Sequence, residues 1–173
     1  MKGVIVQCLN QLIEERFSKE IWKQIMIDSK LDPDTVFFGH HDINDAVIME
    51  VVGNVCKNLN ISLEDAANAF GDYWVNVFAK KHYFAFFISS KTARQFLEKM
   101  DQVHVKITET VPNAHPPRFK YETPDNNTII MLYESKRGLI DFLVGLAKAV
   151  GTYYKEDIEV TKLDANKIKI VFK

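Results

Sequence analysis

The sequence predicts an α+β domain, in which a helical N-terminal two thirds packs with an antiparallel sheet of about four strands. Apolar residues recur at helical spacing from the N-terminus to about residue 111. Beyond Pro112 and the pair Pro116 and Pro117, the spacing changes to the alternation that is typical of strands. Two pairs of alternating segments are each joined by a short polar turn, so we expect hairpins and an antiparallel sheet.

Four helical segments are expected in the first part of the chain. Residues 2–16 carry an apolar stripe, and Ser18 is placed to cap a second helix. Asn44 caps a third segment, and Ser62 with Asp65 caps a fourth. The apolar stripes of the first, second and fourth segments contain Ile5, Leu9, Leu12 and Ile13, then Trp22, Ile25 and Met26, and finally Ala66, Phe70, Trp74, Val77 and Phe78.

The second half of the chain combines helices with the two hairpins. Residues 90–111 carry one helical face, which the prolines end. The first hairpin spans residues 118–133, and the second spans residues 158–172. Between them, the apolar spacing of residues 139–150 predicts a helix that carries Phe142 and Leu146.

Composition and charge exclude several classes of function. The 173 residues carry a net charge of −1, which is not the basic excess of a protein that follows a phosphate backbone, so we expect no nucleic-acid partner. The longest apolar runs, such as residues 84–88, are far too short to cross a bilayer, and we expect no membrane partner. The N-terminus lacks a signal-peptide pattern, and Cys8 and Cys56 are typical of reduced core residues. A single cytoplasmic domain over residues 1–173 is therefore expected.

Two features could carry chemistry. His104 lies on the apolar side of a helix, where a packed histidine is commoner than a metal ligand. Tyr133, Ser135 and Arg137 are spaced by two, so they share one face if the strand continues, and they would present two hydroxyls and a guanidinium to a carboxylate. A solvated strand end is the alternative. The remaining histidines, such as His40 and His41, have no partners at ligand spacing, and we place them on the surface.

Taken together, His104, Pro116 and Pro117, and the Y-x-S-x-R motif from Tyr133 to Arg137 resemble the signature of the haem nitric oxide and oxygen binding (H-NOX) family. This family includes bacterial stand-alone proteins and the sensor domain of soluble guanylate cyclase, and the resemblance covers essentially the whole chain. It implies that His104 is the iron ligand of haem b (iron protoporphyrin IX) in the interior of the domain. It also implies that the motif binds the propionates and that Pro117 presses on the porphyrin.

The resemblance also implies an apolar slot and a preference among gases. The residues in the positions of the family's pocket are Ile5, Leu9, Trp74, Phe78, Phe142 and Leu146. Oxygen-binding members carry a tyrosine where this chain has Phe142, and the donor of that tyrosine stabilises bound oxygen. Its absence favours NO and CO, although the indole N–H of Trp74 is another possible donor.

The resemblance implies a sensor rather than an enzyme, because no residues remain for an output domain. Binding of NO would release His104 and relax the haem, and this would signal to a separate partner, which in bacteria is commonly a histidine kinase or a cyclic-di-GMP enzyme. The alternative is a module without haem that binds an apolar carboxylic acid through Arg137, with His104 packed in the core. A visible absorption spectrum separates the two hypotheses.

Overall fold

One antiparallel sheet lies in the C-terminal half of the protein, and helices make up most of the rest. The structure is a computed structural model that describes residues 1–173. The helices are α1 (Val4–Arg16), α2 (Lys19–Asp28), α3 (Asp45–Leu59), α4 (Leu63–Tyr73), a π-helix here named π1 (Trp74–Ala79), α5 (Lys80–His82), α6 (Phe84–Ile88), α7 (Ala93–Glu98), α8 (Met100–Thr110) and α9 (Ile140–Tyr154). The strands are β1 (Arg118–Asp125), β2 (Thr128–Glu134), β3 (Ile158–Lys162) and β4 (Lys167–Phe172). The predicted α+β class is confirmed.

Contacts divide the chain into two compact units, Met1–Ala66 and Ala67–Lys173. In the first unit, α2 packs against both α1 and α3. Its helices start where the sequence predicts, because the Ser18 side chain accepts a hydrogen bond from the Ile21 amide and the Asn44 side chain accepts one from the Ala46 amide. The core of this unit is formed by Val6, Leu9, Leu12, Ile13, Trp22, Ile25, Met26, Ile48, Val51 and Val55. None of the helices in the chain combines the length and hydropathy needed to cross a bilayer.

The fourth predicted helix changes type part of the way along. Ser62 and Asp65 form the expected cap, with the Asp65 amide donating to the Ser62 hydroxyl over 3.0 Å. The α-helix ends at Tyr73, and the chain continues as π1, which carries Trp74 and Phe78. A π-helix shifts the side chains that follow it around the helix axis, and such segments are frequent at functional sites.

The predicted helical face over residues 90–111 is divided into two helices. The helices α7 and α8 meet at Lys99, whose φ of −85° and ψ of −8° depart from helical values. The hydroxyl of Tyr121, on β1, accepts the Asp101 amide and donates to the Leu97 carbonyl, so it satisfies backbone groups at this break. The periodic spacing continues through the junction, which is why the sequence alone predicts a single helix.

The sheet has the strand order β1-β2-β4-β3, and every neighbouring pair is antiparallel. Both hairpins are therefore present, and β2 pairs with β4 to join them. Ile129 and Met131 on β2 and Ile168 and Ile170 on β4 are completely buried. Together with α9, which packs against β3 and β4, they form the core of the second unit.

The crossing of α4 and α9 depends on two glycines. A Cβ atom built on Gly145 would lie 2.3 Å from the carbonyl oxygen of Ala67, and one built on Gly71 would lie 2.3 Å from the carbonyl carbon of Gly145. Backbone atoms cannot give way as a flexible side chain can, so any side chain here forces the helices apart. These helices lead into Trp74 and carry Phe142, so the crossing positions two of the predicted pocket residues.

We expect Gly145→Ala to lower the free energy of unfolding by about 2 to 3 kcal/mol, because overpacking a well-packed contact costs about that much. Urea unfolding followed by circular dichroism measures the change. Gly53→Ala is the matched control: Gly53 lies within α3 with open space around it, so alanine should stabilise by about 0.5 to 1 kcal/mol. Equal midpoints for Gly145→Ala and the wild type would show that the crossing is not tight.

Candidate functional site

His104 lies in the middle of α8, and its tautomer is fixed by a backbone group. Nδ1 lies 2.7 Å from the carbonyl oxygen of Pro117. A carbonyl can only accept, so Nδ1 carries the proton and Nε2 keeps its lone pair. Burial lowers the pKa of His104 below its usual value, although the Pro117 hydrogen bond acts in the opposite direction. The imidazole is therefore neutral and oriented, as a metal-binding histidine needs to be.

Asp101, one turn before His104, joins α8 to β1. Its two carboxylate oxygens accept hydrogen bonds from Nε and from one terminal nitrogen of Arg118, each over 2.7 Å. One of these oxygens also accepts a hydrogen bond from the Phe119 amide over 2.8 Å. These bonds, of which the Arg118 contact is the main cause, lower the pKa of Asp101 to about 2. The residues bound by Asp101 directly follow Pro117, so the same short segment is held by both Asp101 and His104.

We expect Asp101→Asn to lower the free energy of unfolding at neutral pH by on the order of 1 to 2 kcal/mol, since 52% of the Arg118 side chain is exposed and solvent screens the pair. The folded-state pKa lies below the unfolded value, so this contribution is complete above about pH 4 and is lost as the pH falls towards 2. Unfolding curves for both proteins at a series of pH values should converge in acid. Glu98→Gln, which removes an exposed pair with Arg94, should cost at most about 0.5 kcal/mol. A constant difference at every pH would contradict the assignment.

Tyr133, Ser135 and Arg137 lie at the end of β2, but not on a continued strand. The strand ends at Glu134, and the Ser135 hydroxyl accepts the Arg137 amide over 3.3 Å, which forms a turn. The Arg137 guanidinium donates to the carbonyl of His115. The three residues are therefore not aligned on one face of a strand, as the spacing predicts. A turn instead directs Arg137 towards His115, which precedes the two prolines.

Tyr133 is the most buried member of the motif, with 4% of its surface exposed. Its ring lies 6.2 Å from that of Phe119, and the ring of Phe119 lies 5.2 Å from the imidazole of His104. Phe119 and Tyr133 are opposite each other in the pairing of β1 with β2. A line of rings thus connects His104 to the motif through Phe119, for which the sequence predicts only a place in a hairpin.

Three of the predicted pocket residues share one aromatic cluster. Trp74 stacks on Phe70 and on Phe78, with ring centroids 5.8 and 5.4 Å apart, and Phe142 meets Phe70 edge-on at 5.5 Å. Trp74 and Phe142 are only half-buried, whereas Phe78 is buried. Trp74 and Phe78 both lie on π1, four residues apart.

The other predicted pocket residues are apolar and lie on helices. Leu146 is half-buried on α9, one turn beyond Phe142. Ile5 and Leu9 lie on α1, in the first unit, where Leu9 is part of the core and Ile5 is half-buried. Their place in a pocket remains a prediction.

The remaining histidines do not form a metal site, because no group of three or more histidine, cysteine, aspartate or glutamate residues has suitable geometry. His40 and His41 lie in an exposed loop, with ring centroids 4.5 Å apart. His82 is exposed and packs on Phe78. Among the five histidines, His104 is the one that is both oriented by a backbone group and half-buried, whereas the other four are exposed.

The residues of the second unit fit haem. A haem needs a neutral axial imidazole, an apolar surface, and donors for two carboxylates. His104 offers Nε2, since Nδ1 is engaged by Pro117. The Tyr133 hydroxyl makes no hydrogen bond within the protein, and Ser135 and Arg137 supply a hydroxyl and a cation nearby in the chain. The aromatic cluster supplies apolar surface.

A protein-family model and a curated relative both match this chain over most of its length. The model of a protein family described as haem-NO-binding matches residues 2–162. A soluble guanylate cyclase of Caenorhabditis elegans is 23% identical over 171 residues, which are 96% of this chain and 25% of the relative. The chain therefore spans about a quarter of the length of this curated relative.

Solved structures share the fold. An oxygen-binding H-NOX domain related to soluble guanylate cyclases superposes with a TM-score of 0.82 at 24% identity, and the match covers 100% of this chain and 95% of that one. A mutant of an H-NOX protein from K. algicida, in the Fe(II) unliganded form, superposes with a TM-score of 0.86 at 22% identity, and the match covers 100% of this chain and 96% of that one. At these identities the superpositions establish the architecture.

Proposed function

Since the chain belongs to the haem-NO-binding family, whose H-NOX domains are haem-based gas sensors related to soluble guanylate cyclase, we propose that it binds haem b through His104 and senses nitric oxide. The observation that carries this proposal is the hydrogen bond from Nδ1 of His104 to the Pro117 carbonyl. It leaves a neutral imidazole with Nε2 available, which is the form that ligates iron.

In this proposal each group of the haem has a partner in the chain. Tyr133, Ser135 and Arg137 bind the propionates through two hydroxyls and a guanidinium, and Pro117 lies against the porphyrin. The apolar slot is formed by Ile5, Leu9, Trp74, Phe78, Phe142 and Leu146. A bound haem would supply a ferrous iron that takes NO or CO. Binding of NO would weaken the bond between this iron and the imidazole.

The signal is proposed to pass through α8. The bonds of His104 to Pro117 and of Asp101 to Arg118 and Phe119 do not involve the iron, so they would persist if the iron contact were lost. Movement of α8 is therefore transmitted to the start of β1 rather than absorbed within the helix. The proposed equilibrium is between a state with His104 bound to the iron and a state with it released. A ligand shifts this equilibrium only as far as its affinities for the two states differ. CO leaves the histidine bound, so it should be the weaker effector.

We propose that the partner is a separate protein in the cytoplasm, either a histidine kinase or a cyclic-di-GMP enzyme, and that this chain itself is not an enzyme. The proposal follows from the family's stand-alone members. Co-purification of this chain with candidate kinases, with and without NO, tests it.

Selectivity is proposed to depend on Phe142, which places a phenyl ring where a donor would stabilise oxygen. We expect Phe142→Tyr to raise the oxygen affinity of the ferrous protein by about ten- to a hundredfold, because a hydrogen bond to a polarised ligand contributes about 1.5 to 3 kcal/mol. Oxygen titration of the reduced protein measures it, with Phe142→Leu as the control without a donor. A stable oxygen complex in the wild type would contradict the assignment and indicate Trp74 as the donor.

The absorption spectrum of the purified protein tests the function as a whole. We expect a Soret band after expression or after addition of haem, a shift of that band with NO and with CO, and no stable complex in air. Protein that takes up no haem but binds long-chain carboxylic acids would overturn the proposal in favour of the alternative without haem.

A further inference from the structure

One stretch of the chain has an unusual charge pattern. None of the residues from 73 to 97 is acidic, although the whole chain carries a net charge of −1. The same stretch contains Lys80, Lys81, Lys91 and Arg94, together with the apolar run from Phe84 to Ile88. Its positive charge is therefore local and is not a consequence of overall composition.

The short helix α6 exposes part of this apolar run. Phe87 is buried and stacks on Phe96 with ring centroids 4.7 Å apart, so one side of the helix is fixed to the core. Phe84 and Ile88 are four residues apart, on one face, with 54% and 62% of their surfaces exposed. The adjoining Tyr83 is 37% exposed. Large apolar side chains thus project from a rigidly held helix into solvent.

The lysines next to this helix are not engaged with carboxylates. Lys80, Lys81 and Lys91 are exposed and have no ion pair; the ammonium of Lys80 lies 5.9 Å from the centre of the Tyr153 ring. Lys99 donates to the carbonyl of Ser89, directly after α6. The lysines that do form ion pairs all lie elsewhere in the chain, and they are Lys2, Lys23, Lys120, Lys162, Lys167 and Lys173.

We propose that the exposed residues Tyr83, Phe84 and Ile88 with Lys80, Lys81 and Lys91, here called the 80–91 face, dock on an anionic lipid surface. Projecting aromatic and aliphatic side chains enter the boundary between headgroups and acyl chains, and flanking lysines are attracted to the negative headgroups. Long lysine side chains keep their charge at headgroup level while the stem follows the apolar surface. The contact is peripheral, so the lack of a membrane-spanning helix does not argue against it.

Other occupants fit the 80–91 face less well. A second copy of the chain would bring two clusters of unpaired lysines together, which is unfavourable. A protein partner would meet a surface rich in lysine, whereas protein interfaces are depleted in lysine and enriched in arginine. A fluid anionic surface needs neither fixed geometry nor shape complementarity, and both the lysines and the projecting side chains suit it.

The proposal does not depend on haem, and it revises the expectation of no membrane partner. That expectation considered only segments that cross a bilayer. The ring of Trp74 lies 6.3 Å from that of Tyr83, so docking places a tryptophan of the aromatic cluster close to the lipid contact. In the haem-free protein, the fluorescence of Trp74 therefore reports docking.

Sedimentation of the protein with vesicles tests the proposal. We expect binding to phosphatidylcholine vesicles that contain phosphatidylglycerol, little binding to pure phosphatidylcholine, and weakening by salt. The double variant Lys80→Glu and Lys81→Glu should bind at least about twenty-five times more weakly, since each lysine near an anionic surface is worth about fivefold. Phe84→Ser with Ile88→Ser should also reduce binding.

Matched controls change the same residue types on other surfaces. Lys19→Glu with Lys57→Glu alters the charge by the same amount on exposed residues of α2 and α3, and Leu163→Ser removes an apolar residue that is 47% exposed. These variants should bind as the wild type does. Absence of binding to anionic vesicles, equal losses in the control variants, or binding to an acidic peptide but not to vesicles would each overturn the proposal.

Discussion

His104→Gly should yield a folded protein that retains no haem unless imidazole is added. The substitution removes the imidazole whose Nε2 is oriented to bind a metal. A small imidazole can enter the space left by the side chain and supply an equivalent ring nitrogen. The haem-to-protein ratio after gel filtration, with and without imidazole, measures the effect. We expect a ratio near that of the wild type only in the presence of imidazole.

His115→Ala is the matched control for this experiment. His115 lies close to the motif in space, since its carbonyl accepts Arg137, but alanine retains that carbonyl and removes only the imidazole. Its haem content should equal that of the wild type. Normal haem content and an unchanged ferrous spectrum in His104→Gly would refute the assignment of His104, whereas haem loss in both variants would indicate general damage to this region.

The elements that the sequence predicts well are those determined by local chemistry. Ser18, Asn44 and Ser62 cap helices because a short polar side chain binds an amide two or three residues later, and such bonds need no distant partner. The two hairpins follow from alternation and polar turns for the same reason. His104 and the Tyr133 motif are identified by resemblance; their spacing alone is compatible with ordinary packing.

The features that the sequence does not predict depend on partners distant along the chain. Lys99 ends α7 where Tyr121, 22 residues later, satisfies the backbone of the next turn. Asp101 pairs with Arg118, which is 17 residues later, and nothing in the local sequence distinguishes this arginine from the other cations. Periodicity in Trp74–Ala79 is that of an α-helix, yet a π-helix forms there. Each case is a choice between local alternatives of similar energy that tertiary contacts decide.

These unpredicted contacts change what the site can do. With His104 alone, a ligand on a helix would be free to move with that helix. The bonds of Asp101 to Arg118 and Phe119, together with that of His104 to Pro117, fix α8 to the segment preceding the sheet. Since Phe119 pairs with Tyr133, the same segment connects His104, the proposed iron ligand, to Tyr133 of the proposed propionate motif. His104 and Tyr133 are thus held on one connected segment.

Arg137→Ala should weaken haem retention by about ten- to a hundredfold, because the loss of a charge-assisted bond to a carboxylate costs on the order of 1.5 to 3 kcal/mol. Tyr133→Phe should cost less, since it removes a single hydroxyl. The rate of haem transfer to an excess of apomyoglobin measures retention, with Lys136→Ala as a control that removes an adjacent exposed cation. Equal transfer rates for Arg137→Ala and the wild type would refute the propionate role.

Arg137 also donates to the His115 carbonyl, so its loss can act through the protein as well as through the haem. The two effects separate in the haem-free protein, where loss of the bond to the His115 carbonyl should lower the free energy of unfolding by about 0.5 to 1.5 kcal/mol. Arg137→Lys keeps the charge but loses the planar fork, so it should retain haem better than Arg137→Ala and less well than the wild type. A haem-retention loss no larger than the change in haem-free stability would assign Arg137 a purely structural role, because a residue that binds the propionates must weaken the loaded protein more than the empty one.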